Sequence, residues 1–389
     1  MGRKKKIAAL CGGIAVAAVL GYAAYVLLTY HRIPDGKETG IEKKAENHVL
    51  KEEQSYTISS YNIGFGAYTP EFTFFMDGGK QSVAESPESV VACVKGAGEE
   101  IAEISPDFAL LQEVDLNSTR SHHINEYGML KEIFPAQDTT FAVNYDSAYL
   151  MVPPWEPHGK SLSGMAVFSS YPIESAIRRS LPIQEGFKKL LDLDRCYQVV
   201  KIPVENGKYL CLYHVHLSAY GHDDSVRAGQ IGMLAADMAA EREKGNYVVC
   251  GGDFNHEMRE KSQEGEAYSW AHIFPREMLP EGFTVAMDTL TDEQKADMPK
   301  STRYTDIPYD PETSFQATVD GFLISDNVVC ENLEVIDTGY EFSDHNPLVM
   351  TFQLKEISKD IYQWTLGYDS FLGYMFGVLN LEKANKHGR

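Results

Sequence analysis

The chain has 389 residues, 43% of them hydrophobic and 11% aromatic, with a formal charge of −21. Setting aside the five Lys and Arg of residues 1–32 leaves 30 basic residues against 56 acidic ones, a formal charge of −26 over residues 33–389. That surface repels phosphate polymers at long range and carries no basic footprint, which disfavours nucleic acid as a partner unless a divalent cation offsets the charge inside a cleft.

Arg3, Lys4, Lys5 and Lys6 precede 24 mostly apolar, uncharged residues at 7–30. A helix of that length can cross a bilayer. The Lys and Arg bias places residues 1–6 in the cytoplasm and the rest of the chain outside it. A cleaved secretory signal is the competing reading. The run is longer than a usual signal core and continues past Ala23 and Ala24 without a break, so an uncleaved signal anchor is expected. Residues 31–54 are charged and poor in aromatics, and read as a polar linker.

From residue 55 the pattern changes. Tyr, Ile and Ser alternate over 56–61 as in a strand, 90–104 reads as a helix, and 108–111 is an apolar strand ending at Gln112 and Glu113. Further strands are expected at 166–169, 198–202, 209–215, 247–250, 321–325 and 348–354, and a helix at 225–243. Glu205, Asn206 and Gly207 would turn a hairpin between 199–204 and 208–215. Strands alternating with helices, plus antiparallel pairs, predict a layered α/β domain over 55–355.

Two segments exceed what that domain needs. Asn62 and Glu113 stand 51 positions apart, and the surplus at 68–87 is aromatic and Gly-containing. It either lines a cleft or packs on itself as a surface decoration, and Phe72 to Met76 (FTFFM) is the candidate for touching lipid. The tail at 356–389 is aromatic but too short in its apolar run to span a membrane. It either packs on the domain or lies in the interfacial plane. Five cysteines follow the anchor, without zinc-type spacing, and read as buried thiols.

The chemistry concentrates in GGDFN at 251–255 and SDHNP at 343–347. Side chains at strand ends are held rigidly at the mouth of a sheet. Asp253 and Asn255 are two residues apart and share a face in an extended chain. One suits positioning or deprotonating a water, the other a hydrogen bond to a phosphate oxygen. Around them, in order, stand YTISSYNIGFG with Asn62, PDFALLQEVD with Glu113, GMAVFSSYPI, YLCLYHVHLSAYG with His216, ATVDGFLIS with Asp320, and EFSDHNPLVM with Asp344 and His345.

This ordered set resembles the endonuclease/exonuclease/phosphatase superfamily, which includes deoxyribonuclease I, abasic-site endonucleases, inositol polyphosphate 5-phosphatases and neutral sphingomyelinases. The resemblance runs from about residue 56 to about residue 354. It implies the four-layer α/β/β/α sandwich of deoxyribonuclease I and metal-assisted attack of water on a phosphoester, with Mg2+, or alternatively Mn2+, as cofactor. Glu113, a hard-oxygen donor at a strand end, and Asp344 are the implied metal ligands, with Asn62 as a third group on the metal or directly behind its ligands. Asp253 would activate the water, with Asn255 on the phosphate. His345 would meet the phosphate as imidazolium, held by Asp320. His216 matches the sphingomyelinase and 5-phosphatase branches, where it lies on the phosphate and acts with the leaving oxygen. His214 reads as a satisfied core histidine and Arg303 as a solvated side chain. His256 and Glu257 receive no role.

The expected function is therefore a membrane-anchored, Mg2+-dependent phosphoesterase whose catalytic domain faces outside the cytoplasm. A lipid head group suits the tether and His216. An extracytoplasmic nuclease is the alternative, and a soluble sugar or inositol phosphate as substrate is compatible with the same residues. A catalytically inactive binder of phosphorylated ligands is the rival class, but such a relative should have lost one of Glu113, Asp253, Asp344 or His345. Diester against monoester is left open, and so is oligomeric state.

Overall fold

A computed structural model describes residues 2–186, 189, 193–219, 224–259 and 271–356. Helix α1 (Arg3–Thr29) comes first; it is long and apolar enough to cross a membrane by length and composition, and its most apolar stretch is not buried against the rest of the chain. The strands that follow are β1 (Lys37–Glu38), β2 (Ile41–Glu42), β3 (Ser55–Asn62), β4 (Phe108–Asp115), β5 (Asp138–Asp146), β6 (Leu162–Ser169), β7 (Ser175–Ser180) and β8 (Cys196–Pro203). After them come β9 (Tyr209–His216), β10 (Tyr247–Asp253), β11 (Phe283–Val285), β12 (Thr302–Arg303), β13 (Gln316–Ala317), β14 (Asp320–Ser325), β15 (Val328–Val335) and β16 (Leu348–Leu354). The remaining helices are α2 (Pro87–Ile104), α3 (Glu126–Ile133), α4 (Asp224–Glu243) and α5 (Asp292–Asp297).

Two seven-stranded sheets carry the domain, ordered β1-β7-β8-β9-β10-β14-β11 and β15-β16-β3-β4-β6-β5-β2. Alternation along β4 shows how they pack. Phe108 and Leu110 enter the core between the sheets, while Ala109 and Leu111 enter a second core with Val90, Val94, Ala97 and Ile101 of α2. Helix α2 starts where Ser86 Oγ accepts the Ser89 N–H at 3.1 Å, with Pro87 in the first turn. On the other side α4 joins the parallel pair β9 and β10 and contributes Ile231, Leu234 and Met238 to the core. The result is the four-layer α/β/β/α sandwich expected from the sequence.

Close approach of the sheets accounts for the double glycine of GGDFN. A Cβ at Gly251 would stand 2.4 Å from the Phe322 ring and 3.0 Å from Leu110. At Gly252, where φ is +143°, it would stand 2.0 Å from the Val215 carbonyl oxygen. Only glycine lets β10 run between its neighbours and deliver Asp253 at its end.

Residues 31–54 are not the free polar linker expected. β1 pairs with β7, β2 pairs with β5, Leu50 is fully buried, and the Asp194 carboxylate accepts from Arg32 Nε and the Ile33 N–H, each at 2.7 Å. Short edge strands are held by backbone groups, which composition does not register. The tail from residue 357, expected to pack on the domain or lie in the interfacial plane, falls outside the described residues. Cys93, Cys196, Cys211 and Cys250 are free and buried.

Candidate active site

Strand register assembles the site. β10 runs parallel to β9 and antiparallel to β14, so that Asp253 faces His216 on one side and Asp320 on the other. These three form a row across one sheet. Asn62 ends β3 in the opposite sheet, and its Nδ2 donates across the gap to Asp253 Oδ2 at 3.1 Å and, within its own sheet, to Glu113 Oε1 at 3.5 Å. Ser343 Oγ donates to the Asn62 carbonyl at 2.6 Å, which brings Asp344 and His345 over the row. All eight residues expected from the sequence thus meet at one end of the sandwich.

Two of them sit in the left-handed backbone region, Glu113 at φ 55° and Asn255 at φ 50°. For non-glycine residues that conformation costs roughly 1–2 kcal/mol each. Glu113 falls where the β4–β6 register breaks between Leu111 and Val114, a bulge that turns its carboxylate toward Asn62. Asn255 is held by its own N–H to Asp253 Oδ1 at 2.8 Å and by Nδ2 to the Leu217 carbonyl at 2.9 Å.

Electrostatics divides the titratable groups. His345 Nδ1 lies 2.8 Å from Asp320 Oδ2, and its Nε2 lies 3.9 Å from Asp253 Oδ2. Burial works against its charge, but the Asp320 carboxylate overrides this and the imidazole is pushed up to about 10. His216 Nε2 lies 3.5 Å from Asp253 Oδ2 and 4.0 Å from Glu113 Oε1. Burial, with Arg195 and His345 as neighbouring positive charges, holds it well below the ordinary range, hence neutral. Burial also raises Asp253 to about 7, with Asp320 adding to the effect and His345 opposing it. One imidazolium, one neutral imidazole and one carboxylate poised near neutrality therefore face a single space.

Residues 59–345 match the Endonuclease/Exonuclease/phosphatase family. The chain belongs to that family. It is accordingly a hydrolase of ester bonds with the family's deoxyribonuclease I-like fold. No curated protein sequence matches the chain. Among solved structures, the endonuclease/exonuclease/phosphatase from Beutenbergia cavernae is similar at 17% identity and a TM-score of 0.54, over 78% of this chain and 72% of that one. The human Nocturnin catalytic domain, solved with a bound sulfate anion, is similar at 17% identity and a TM-score of 0.50, over 82% of this chain and 98% of that one.

Enzymes of this family use divalent metal ions, and the oxygen donors present fit one. Burial raises Asp344 to about 6, and the Glu113 carboxylate adds to that rise, a repulsion between two acids that a cation would relieve. Among the described residues no three His, Cys, Asp or Glu form a closed ligand cluster. Glu113 and Asp344 are the carboxylates that could hold such an ion, with water supplying the rest of its ligands. The Asn62 oxygen accepts the Gly64 N–H at 3.1 Å, so this amide spends its oxygen on the backbone and its nitrogen on the two carboxylates.

Several supporting residues escaped the sequence. Arg120 stacks 3.9 Å over the Phe65 ring, pairs with Asp115 at 2.9 Å, and reaches Glu113 Oε2 at 3.7 Å. Arg303, expected to be solvated, is buried; its Nη2 donates to the Thr69 carbonyl at 2.9 Å and its N–H to the Asp344 carbonyl at 2.9 Å. It ties the 68–87 segment to the motif that carries Asp344. That segment is built into the core near the site rather than set apart as a surface decoration. Phe72 and Phe74 are buried with Phe65, while Tyr68 stands against Gly64 beside Asp344. FTFFM is thus core rather than a lipid-touching strip, with Met76 its exposed member. His214 lies in the core, 2.6 Å from Gln112 Nε2.

Proposed function

We propose that this chain is a membrane-anchored phosphoesterase that uses Mg2+, or Mn2+ in its place, to hydrolyse a phosphoester of a lipid head group. The observation that carries the reading is the row of His216, Asp253 and Asp320, closed over by His345 and faced by Glu113 through Asn62. A divalent ion held by Glu113 and Asp344 would neutralise the phosphoryl charge and polarise its oxygen.

The chain's own groups do the rest. Asp253, with its pKa near neutrality, takes a proton from the attacking water, and Asn62 and the Asn255 N–H hold its carboxylate in place. His345 as imidazolium donates from Nε2 to a non-bridging phosphoryl oxygen, where charge accumulates in the transition state. Asp320 keeps the proton on Nδ1. Neutral His216 donates from Nε2 toward the leaving oxygen. Asn255 lines the phosphate side of the row.

The membrane arm rests on α1, whose length, apolarity and exposure suit a single span with residues 1–6 cytoplasmic and the catalytic domain on the far side. A lipid head group is preferred to nucleic acid because the domain is strongly acidic and tethered beside a bilayer. The test uses the full chain in detergent, with bis-p-nitrophenyl phosphate and p-nitrophenyl phosphate as substrates, with Mg2+ or chelator, beside His345→Ala. Metal-dependent diester cleavage abolished in the variant supports the reading. Preference for the monoester transfers it to sugar or inositol phosphates. Turnover that survives both chelator and His345→Ala refutes it.

A further inference from the structure

Exposed apolar side chains gather at one place on the domain, the loop at 147–161 between β5 and β6. Trp155 is 71% exposed, Met151 54%, Val152 46% and Tyr149 41%. This loop touches α1 within its apolar run. Tyr25 Oη accepts the Tyr149 N–H at 3.1 Å, while Tyr22 Oη donates to the Tyr149 carbonyl at 3.2 Å and accepts the Met151 N–H at 3.0 Å.

Depth follows from helix geometry. Tyr25 and Tyr22 lie five and eight residues before Tyr30, or about 7.5 and 12 Å along the axis. The 24-residue run is about 36 Å long against a hydrocarbon core of about 30 Å, so a centred helix projects about 3 Å at each end. The contacts therefore lie about 5–9 Å inside the hydrocarbon boundary, the depth at which interfacial elements seat their apolar faces.

Six of the eight backbone polar groups of residues 149–152 are paired within the protein. Non-helical chain enters a membrane only when its polar groups are satisfied within protein. Besides the three groups bonded to Tyr22 and Tyr25, the Leu150 N–H and carbonyl pair with Gly159 at 2.9 and 3.0 Å, and the Val152 carbonyl accepts the His158 N–H at 3.0 Å. Pro153 and Pro154 bring no N–H. The carboxylate after Trp155 is turned inward, Glu156 Oε2 accepting the Ser82 N–H at 2.7 Å.

We propose that residues 149–155 dock into the bilayer that α1 crosses, with Tyr149, Met151, Val152 and Trp155 as the inserted side chains. The proposal rests on reading α1 as a membrane span. It deepens the functional reading, because the loop is bonded to the 68–87 segment, which reaches the site at Tyr68. Trp155 Nε1 donates to the Lys80 carbonyl at 3.3 Å, His158 Nδ1 lies 3.1 Å from the Ser82 carbonyl, and Tyr68 of the same segment stands beside Asp344. Docking fixes the cleft relative to the lipid surface, so the substrate class is a phosphoester resident in that leaflet.

The test reconstitutes full-length Trp270→Phe, Trp364→Phe protein, in which Trp155 is the remaining tryptophan, into phosphatidylcholine vesicles. The acyl chains carry bromine either near the headgroup or near the chain end. Docking predicts loss of most Trp155 emission with shallow bromine, far less with deep bromine, and recovery in Met151→Asp, Val152→Asp. If the double tryptophan variant misfolds, the difference in emission between the unmodified chain and Trp155→Phe reads the same quantity. Protein that resists alkaline carbonate extraction yet shows unquenched Trp155 overturns docking and leaves the anchor standing. Release by carbonate overturns both. Since neither readout uses turnover, failure of docking is distinct from failure of the catalytic assignment.

Discussion

Asp320→Asn isolates one electrostatic contact. Asp320 is fully buried, with Oδ2 2.8 Å from His345 Nδ1, and its charge and hydrogen bond lead the effects, with Asp344 and Asp253 adding to them, that lift His345 from 6.5 to about 10. A raised histidine pKa means that the charged form persists below about 10 and is lost as pH rises through that value. Asparagine keeps the shape and removes that charge; burial still opposes protonation while Asp344 and Asp253 still favour it, so the imidazole falls back toward its ordinary range. Near pH 8 the protonated fraction would drop from nearly all to about 3%, a loss of roughly 30-fold in kcat/KM; near pH 6 the loss is less than about twofold. The assay is the pH profile of kcat/KM on the diester, with a 15N titration of the His345 ring beside it. The alkaline limb should move from about 10 toward about 6.5. An unmoved limb, or an equal loss at both pH values in folded protein, would refute the role assigned to Asp320 and to the imidazolium.

Other expectations follow from the packing. Asn62→Ala removes the amide that bridges Asp253 and Glu113 and should lower kcat about 10²–10³-fold with little change in KM, read by steady-state kinetics. Gly252→Ala places a Cβ 2.0 Å from a backbone oxygen at a positive φ and should destabilise the domain by about 3 kcal/mol or more, read by urea unfolding. Arg120→Ala strands the buried Asp115 carboxylate and should cost about 3–5 kcal/mol; Arg120→Lys should recover part of the stability but less of the activity, since lysine lacks the planar fork over Phe65 that also reaches Glu113.

The row of candidate catalytic groups was legible because strand ends broadcast themselves. An apolar run that stops at an acid, amide or imidazole says both that the backbone is a buried strand and that the polar group stands at its mouth, as at Gln112–Glu113, Val215–His216 and Gly252–Asp253. The supports were not legible, because nothing local marks them. Arg303 sits in a polar stretch, and its burial comes from Thr69 and Phe72, more than 230 residues earlier in the chain. Arg120 looks like any surface arginine until the Phe65 ring and the Asp115 carboxylate close around it. The same limit explains residues 31–54, whose edge strands are fixed by backbone bonds to strands far along the chain, and FTFFM, whose aromatics read as a docking strip until Phe65 supplies their core. The 149–155 loop is the reverse case. Its sequence, YLMVPPW, carries no motif, and only its place beside Tyr22 and Tyr25 turns four exposed apolar side chains from a liability in water into a fit for lipid.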